Sequence, residues 1–568
     1  MSAKRQPRAS RFARWTLVAL AWVAISACGG SSTEEPTPPP AALPAGQLHE
    51  RAAERGMVFR FRSDPTTRKL MYETMGGGVV LFDADGDHDL DVFVPGGGSA
   101  AGSSRQAAHQ GFFRNTGQGI FENATATAGL EPQDGDAFTL AGAAEDVDGD
   151  GDLDLYVTAL GANRLYLNDG TGHFTRQPRA GGAEGDAWSA AAAFLDADGD
   201  GDADLYVINY VEYDPEDELP CTLGGQRIYC TPILFTAAAN AFYRNDGGRF
   251  VEVTEAVGLG GSAGKSLAVA AADFDADGDL DLYVANDSTP NTLWVNDGSG
   301  RFVEEALMRG VALGRDGREE ASMGIAFADL DRDGDLDTVV PNFSSEVYNL
   351  YRQDAGGFFT DVATASGLAA TTAPLLGFGV VAADFDLDGW IDLAFANGHI
   401  NDLADDLLVA TTFRQPNLLL RNVGGAFEAW PERTGDFART NVARGLAAGD
   451  LDGDGDVDLV VSRIDGPLAL FSNGGAPTSR WVAVAPRRAS GAPATGAWAR
   501  LELADGDERV AHLASAGSYG SQNEPVLRFG LAEGEQPEAL VIRWLSGAEQ
   551  RLEAPAPGQV LEISEPVN

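Results

Sequence analysis

The sequence predicts an all-β chain, a seven-bladed β-propeller followed by a small all-β C-terminal domain. Three observations predict it. A nine-residue pattern, Asp-x-Asp-x-Asp-x-x-apolar-Asp, recurs seven times at intervals of 50 to 77 residues. Each copy is flanked by short runs of strand character, such as Leu153-Asp154-Leu155-Tyr156-Val157, and further such runs follow, in several copies about an Asn-Asp-Gly turn. Near Arg480 the acidic pattern stops, while short alternating runs continue to about Ser564.

The loop is the first element of each repeat to justify. Calcium takes roughly six to eight oxygen ligands. Aspartates at positions 1, 3 and 5 of a tight loop can turn three short carboxylates toward one point, and position 9 can close the set. The predicted side-chain ligands are Asp83, Asp85, Asp87 and Asp91 in the first loop, and Asp146, Asp148, Asp150 and Asp154 in the second. They are Asp196, Asp198, Asp200 and Asp204 in the third, and Asp273, Asp275, Asp277 and Asp281 in the fourth. The fifth has Asp329, Asp331, Asp333 and Asp337, the sixth Asp384, Asp386, Asp388 and Asp392, and the seventh Asp450, Asp452, Asp454 and Asp458. Position 7 is Asp89, Asp152, Asp202, Asp279, Asp335 and Asp456 in six loops but Trp390 in the sixth. Tryptophan cannot replace a side-chain ligand, so position 7 is predicted to give its backbone carbonyl. Glycine at position 6 permits the sharp turn; His88 stands there in the first loop and weakens that site. Up to seven calcium ions are expected. EF-hands are excluded, because they set a longer loop between helices.

The rest of the unit follows. Asn163 to Phe174, Asn240 to Phe250 and Asn291 to Phe302 read as strand, turn, strand. Strand, acidic loop, strand, connection, strand, turn and strand make one four-stranded blade. Four units end in a Phe-bearing run followed by Gly and Leu or Val, as in Phe250 and then Gly258-Leu259. The seventh stops at Gly474 without that run, while Leu48-His49-Glu50 and Gly56-Met57 stand as an orphan copy at the start. The orphan is predicted to complete the seventh unit and close the ring. The propeller is assigned to residues 47–478 and the small domain to 479–568.

These motifs resemble a known family. The loops with Asn-Asp-Gly turns look like FG-GAP or VCBS-type repeats. Met75-Gly76-Gly77-Gly78, the Cys221 to Cys230 insertion and Asn397-Gly398-His399 resemble the cartilage acidic protein family. Ser518-Tyr519-Gly520-Ser521-Gln522, Phe529-Gly530-Leu531 and Trp544-Leu545-Ser546-Gly547 resemble the ASPIC/UnbV domain, although that pattern usually has Pro where Leu545 stands. The resemblance implies calcium binding and an exported location, and no settled catalytic activity. Tyr519 and Gln522 are expected in a turn and β-bulge inside the small domain.

The N-terminus reads as an export signal over residues 1–27. Lys4, Arg5, Arg8, Arg11 and Arg14 precede an apolar run too short to span a bilayer. Ile25-Ser26-Ala27-Cys28 resembles a bacterial lipobox, which implies a lipid on Cys28 and attachment to a membrane. Gly29 after it resembles an outer-membrane signal, facing periplasm or cell surface. Residues 28–46, rich in Pro, Ser and Thr, read as a tether. In an oxidising compartment Cys221 and Cys230 are expected to pair.

The 85 acids against 40 Lys and Arg give a formal charge of -45, which excludes a nucleic-acid partner. Three functions stay open: a module that binds a protein or glycan ligand, a calcium-dependent enzyme on extracellular polysaccharide or another envelope substrate, and a structural spacer. No catalytic residues are assigned; the six histidines form no zinc-ligand spacing. His399 reads as a structural histidine, with contact to a partner as the alternative. Acidic loops and Asn-Asp-Gly turns should share one face, leaving the opposite face, with the long insertions, for partners. The anchor has a direct check. Cys28→Ser should abolish incorporation of a labelled lipid precursor, and a variant labelled as strongly as the parent rules the anchor out.

Overall fold

The computed structural model describes residues 47–98, 109–261, 263–354, 356–474 and 480–566. The signal, the tether and Cys28 lie outside the described residues. Among those described, no helix is long and apolar enough to cross a membrane.

Seven antiparallel sheets carry the seven acidic loops, each loop joining the first strand to the second. In the second sheet the strands are Thr139–Glu145, Asp154–Ala159, Arg164–Asn168 and Phe174–Arg176, in spatial order. First strands of neighbouring sheets pack side by side at every junction except that of the fourth with the fifth, and the first sheet meets the seventh. Crowding at the axis explains their small residues, as in the alanine-rich Ser189–Leu195 and Ser266–Ala272. Second strands such as Asp204–Asn209 and Asp281–Asn286 are buried along their whole length. Their alternating sequence does not alternate in burial, because stacked sheets cover both faces. Between the first two sheets Phe82 and Phe112 pack on Phe174, with ring centroids 6.2 and 5.7 Å apart.

The orphan N-terminal copy closes the circle. His49–Glu50 pairs antiparallel with Ala469–Ser472 as the fourth strand of the seventh sheet. The glycines after the outer strands show why this works. A Cβ at Gly129 would lie 2.5 Å from the carbonyl oxygen of Phe174 in the next sheet. Gly258, Gly310 and Gly367 stand in the same way against Phe302, Phe359 and Phe427. Gly56 meets Phe121, and Gly435 meets Leu48, so the N-terminal segment takes both roles at the seam. Gly182 against Phe250 fills the second sheet's place, a position the sequence motif did not reveal.

The C-terminal module has two sheets. One orders Leu527–Gly530, Trp481–Arg487 and Val560–Ser564; the other orders Glu508–His512, Trp498–Leu503, Pro537–Arg543 and Glu549–Glu553. Its residues Ser518 to Gln522 are not a turn kept within the module. Ser515–Ala516 adds a fifth strand to the inner edge of the fourth sheet, and the following residues run through the axis of the ring.

Two glycine substitutions separate backbone conformation from close approach. Gly135, at φ 91°, has open space within 4 Å of where a Cβ would stand, whereas Gly129, at φ 76°, faces a carbonyl. Gly135→Ala should lower stability by about 1–2 kcal/mol, the cost of left-handed backbone. Gly129→Ala should lose clearly more by chemical denaturation; equal losses would show that the inter-sheet contact does not matter.

Candidate metal centre

Each acidic loop folds around its first aspartate. Gly149 and Gly151 N–H groups donate to the two oxygens of Asp146 at 2.8 and 3.1 Å. Gly453 and Gly455 do the same for Asp450 at 2.9 Å each. Where position 4 is not glycine, the first donor moves on by one residue: Asp277, Asp333 and Asp388 serve Asp273, Asp329 and Asp384. In those loops Ala276, Arg332 and Leu387 hold position 4 at φ 60°, 63° and 56°, a constraint the sequence did not suggest. Position 6 is left-handed throughout, and His88 reaches φ 71° where glycine stands in the other six. The position 5 carboxylate accepts the N–H of position 7, as Asp87 does from Asp89 and Asp388 from Trp390, both at 2.9 Å.

Position 9 ties the loop to the hairpin. Asp154 accepts the N–H of Val147 at 3.0 Å and that of Asn168 at 2.8 Å. Asn168 then donates its side-chain amide to Leu153 O in its own sheet and to Ala84 O in the preceding sheet, at 3.1 and 2.7 Å. The same link recurs from Asn245 to Val147, Asn296 to Ala197, Gln353 to Phe274, Asn422 to Leu330 and Asn473 to Phe385. Asn115 to Leu451 joins the first sheet to the seventh. The asparagine of the Asn-Asp-Gly turn is therefore an inter-sheet bolt as well as a hairpin residue, and Gln353 serves where it is missing.

Position 3 differs. One oxygen is held by arginine in four loops: Arg114 on Asp85 at 3.2 Å, Arg309 on Asp275 at 2.9 Å, Arg421 on Asp386 at 3.3 Å and Arg55 on Asp452 at 3.1 Å. The other oxygen, Oδ1, is buried in Asp85, Asp198, Asp275, Asp331, Asp386 and Asp452, with no hydrogen-bond partner among the described residues. Carboxylate oxygens of Asp83, Asp85 and Asp87, of Asp146, Asp148 and Asp154, and of Asp273, Asp275 and Asp281 lie within 4.8 Å of one another. Oxygens on opposite sides of one ion at about 2.4 Å would be separated by this distance. Burial pushes the Asp91, Asp154 and Asp281 carboxyls up to about 8 and Asp392 to about 9, only partly offset by the N–H donors on them.

The C-terminal module lies over this loop face. Arg528 pairs with Asp450 at 3.4 Å, Asp507 with Arg332 at 3.3 Å and Glu562 with His88 at 3.2 Å, and Arg480 donates to Leu387 O at 2.7 Å. On the other side stand the two long connections. Cys221 and Cys230 are disulfide-bonded across the hairpin of Cys221–Leu223 and Gln226–Ile228. Arg68 reaches Pro215 O at 2.7 Å, and Lys69 pairs with Asp402 in the second insertion. His399 is only 1% exposed. Its Nδ1 accepts the Asn401 N–H at 2.9 Å, its ring packs on Phe343, and burial pushes its pKa down to about 4. It is a neutral brace of its loop, and its side chain is buried beneath the surface.

The fold and loops define a β-propeller-like protein with repeated acidic loops and a β module seated on them. The chain carries FG-GAP-like repeats, matched over residues 146–207, 233–284, 273–340 and 401–461, and an ASPIC and UnbV domain over residues 487–568. The first and sixth loops fall outside the matched ranges, yet fold as the others do. Over 276 residues the chain is 31% identical to cartilage acidic protein 1 of Mus musculus, and over 275 residues 30% identical to that of Xenopus tropicalis. Each match covers 47% of this chain and 40% of the relative, so it spans two-fifths of the relatives' own length. Among solved structures, an Agrocybe aegerita lectin that recognises terminal N-acetylglucosamine overlaps at TM-score 0.36 and 17% identity, covering 71% of this chain and 91% of its own. The rhamnogalacturonan lyase YesX overlaps at 0.33 and 13%, covering 92% of both. Overlaps this low carry no weight for function.

Proposed function

We propose that this chain is a calcium-stiffened interaction module, held to a membrane by a lipid on Cys28 and exposed outside the cytoplasm. The observation that carries the calcium reading is the buried, unpartnered Oδ1 of position 3 in six loops. A buried carboxylate oxygen without a donor is costly unless a cation takes its lone pairs. A donor set of carboxylates and carbonyls, without Cys or His, suits a hard cation that tolerates irregular geometry, hence calcium. Positions 1, 3, 5 and 9 would hold it with the carbonyl of position 7.

Recognition is assigned to the face away from the loops. The ASPIC and UnbV module rests on the loop face, whereas the two insertions expose Leu219, Leu223, Ile233, Leu234 and Val409. Apolar side chains grouped on irregular loops over a rigid scaffold suit a binding surface for a protein or glycan. His399 supports that surface from beneath.

The mature chain should bind up to seven calcium ions by titration and metal analysis, the first loop most weakly because His88 carries strained backbone. Excess chelator should lower the melting temperature, since a ligand at a hundredfold its Kd adds about 2.7 kcal/mol. Asp148→Ala with Asp150→Ala should remove one ion. Unchanged melting in chelator, with no bound metal, would sink the reading. Leu219→Glu with Leu234→Glu should weaken capture of a partner at least tenfold at unchanged calcium content. Capture that survives this change, but is lost when the Asn-Asp-Gly turns are altered in folded protein, puts recognition on the loop face.

A further inference from the structure

The first strands of the seven sheets leave their inner edges toward the axis, and backbone N–H groups on such an edge need acceptors. One segment of the C-terminal module supplies them to every sheet. Ser515 Oγ accepts the Phe194 N–H of the third sheet at 3.2 Å, and Ser515 and Ala516 pair with Ala271 and Ala270 of the fourth. Ser518 exchanges backbone bonds with Ile325 at the fifth, and its Oγ accepts the Val380 N–H of the sixth at 3.1 Å. Ser521 Oγ accepts the Val79 N–H at the first sheet at 3.1 Å. Gln522 bonds both polar groups of Ala144 in the second, at 2.8 and 3.1 Å. Asn523 Oδ1 accepts the Ala448 N–H of the seventh at 2.9 Å, and Glu524 the Asp450 N–H at 3.1 Å.

The fit extends to shape. Tyr519 is buried, packs edge-on against Phe378 with centroids 5.0 Å apart, and accepts the Gly76 N–H at 3.2 Å. A Cβ at Gly78 would lie 1.8 Å from Gly520 O. Arg444, stacked on Phe378 at 3.9 Å, donates to Thr74 O and Gly398 O at 2.8 and 3.0 Å. Met75-Gly76-Gly77-Gly78, Asn397-Gly398-His399 and Ser518-Tyr519-Gly520-Ser521-Gln522 therefore meet at one place, although they are far apart in sequence.

We infer that the axial channel of the sheets is a peptide-binding site whose resident ligand is the chain's own 515–524 segment, so that the ASPIC and UnbV module and the ring form one cooperative unit. The site reads a polar, glycine-containing segment through its serine, glutamine and asparagine acceptors. The inference stands whether or not the loops hold calcium.

The full chain can test it after residues 475–479 are replaced by a recognition sequence for a specific protease. After cutting, the two pieces should migrate as a single one-to-one species at micromolar concentration. In the uncut chain, Gln522→Ala with Asn523→Ala should speed hydrogen exchange of the Ala144 and Ala448 amides at least tenfold. The Val157 and Val461 amides of the adjacent second strands should stay protected, which distinguishes an emptied channel from unfolding. The cut variant should separate at a concentration at least tenfold higher than the cut parent. Pieces of the parent that part freely, inner amides that exchange as slowly in the variant, or a two-to-two species in the cut parent would each overturn the assignment.

Discussion

The whole ring hangs on one hydrogen-bond relay. A buried aspartate at position 9 of each loop orients an asparagine or glutamine on the hairpin of the same sheet, whose amide reaches a loop carbonyl of the preceding sheet. A buried amide bond contributes roughly 1 kcal/mol net, but leaving its carbonyl unpaired costs about 1–3 kcal/mol. Seven such links around a closed circle give every sheet a stake in both neighbours. The apolar stacking between sheets supplies most of the free energy, while the relay fixes the register in which the sheets stack.

The relay also accounts for two of the aspartates in each acidic loop. Position 1 is spent on loop backbone and position 9 on the relay, so neither can be changed without loosening the fold. Among the described residues, position 3 keeps a buried oxygen with no hydrogen-bond partner in six loops, and in four of these an arginine neutralises the other oxygen of the carboxylate. On the proposed reading, the loops thus combine a structural skeleton with a cation seat, and the C-terminal module rests directly on several of them. The face that carries the acidic charge is consequently partly covered, with the tips of the first four loops left exposed, and the irregular insertions stand on the other side.

Much of the site was legible because its causes are local. The nine-residue pattern places carboxylates within one turn, and glycine at position 6 marks a left-handed backbone that His88 also adopts. The orphan N-terminal strand was legible from a missing repeat element. The tolerance of Ala276, Arg332 and Leu387 at position 4 was not, since the donor shift that compensates them is visible only in three dimensions. The role of the turn asparagine was hidden by its good fit to an ordinary hairpin signal. Burial of His399 was hidden because a histidine in a long insertion has no periodicity to place it.

By itself, then, the sequence determined the repeat, the clustering of carboxylates in its loop, the all-β class and the closure of the ring, because each depends on residues close together or on a copy that is missing. Only the tertiary structure decided where the C-terminal module sits and what Tyr519, Gly520 and Gln522 touch. Their partners, Gly76, Gly78 and Ala144, lie more than 370 residues away. Nothing local distinguishes a turn that serves its own module from one that fills the centre of another, and that choice is made by seven strand edges that come together only when the ring closes.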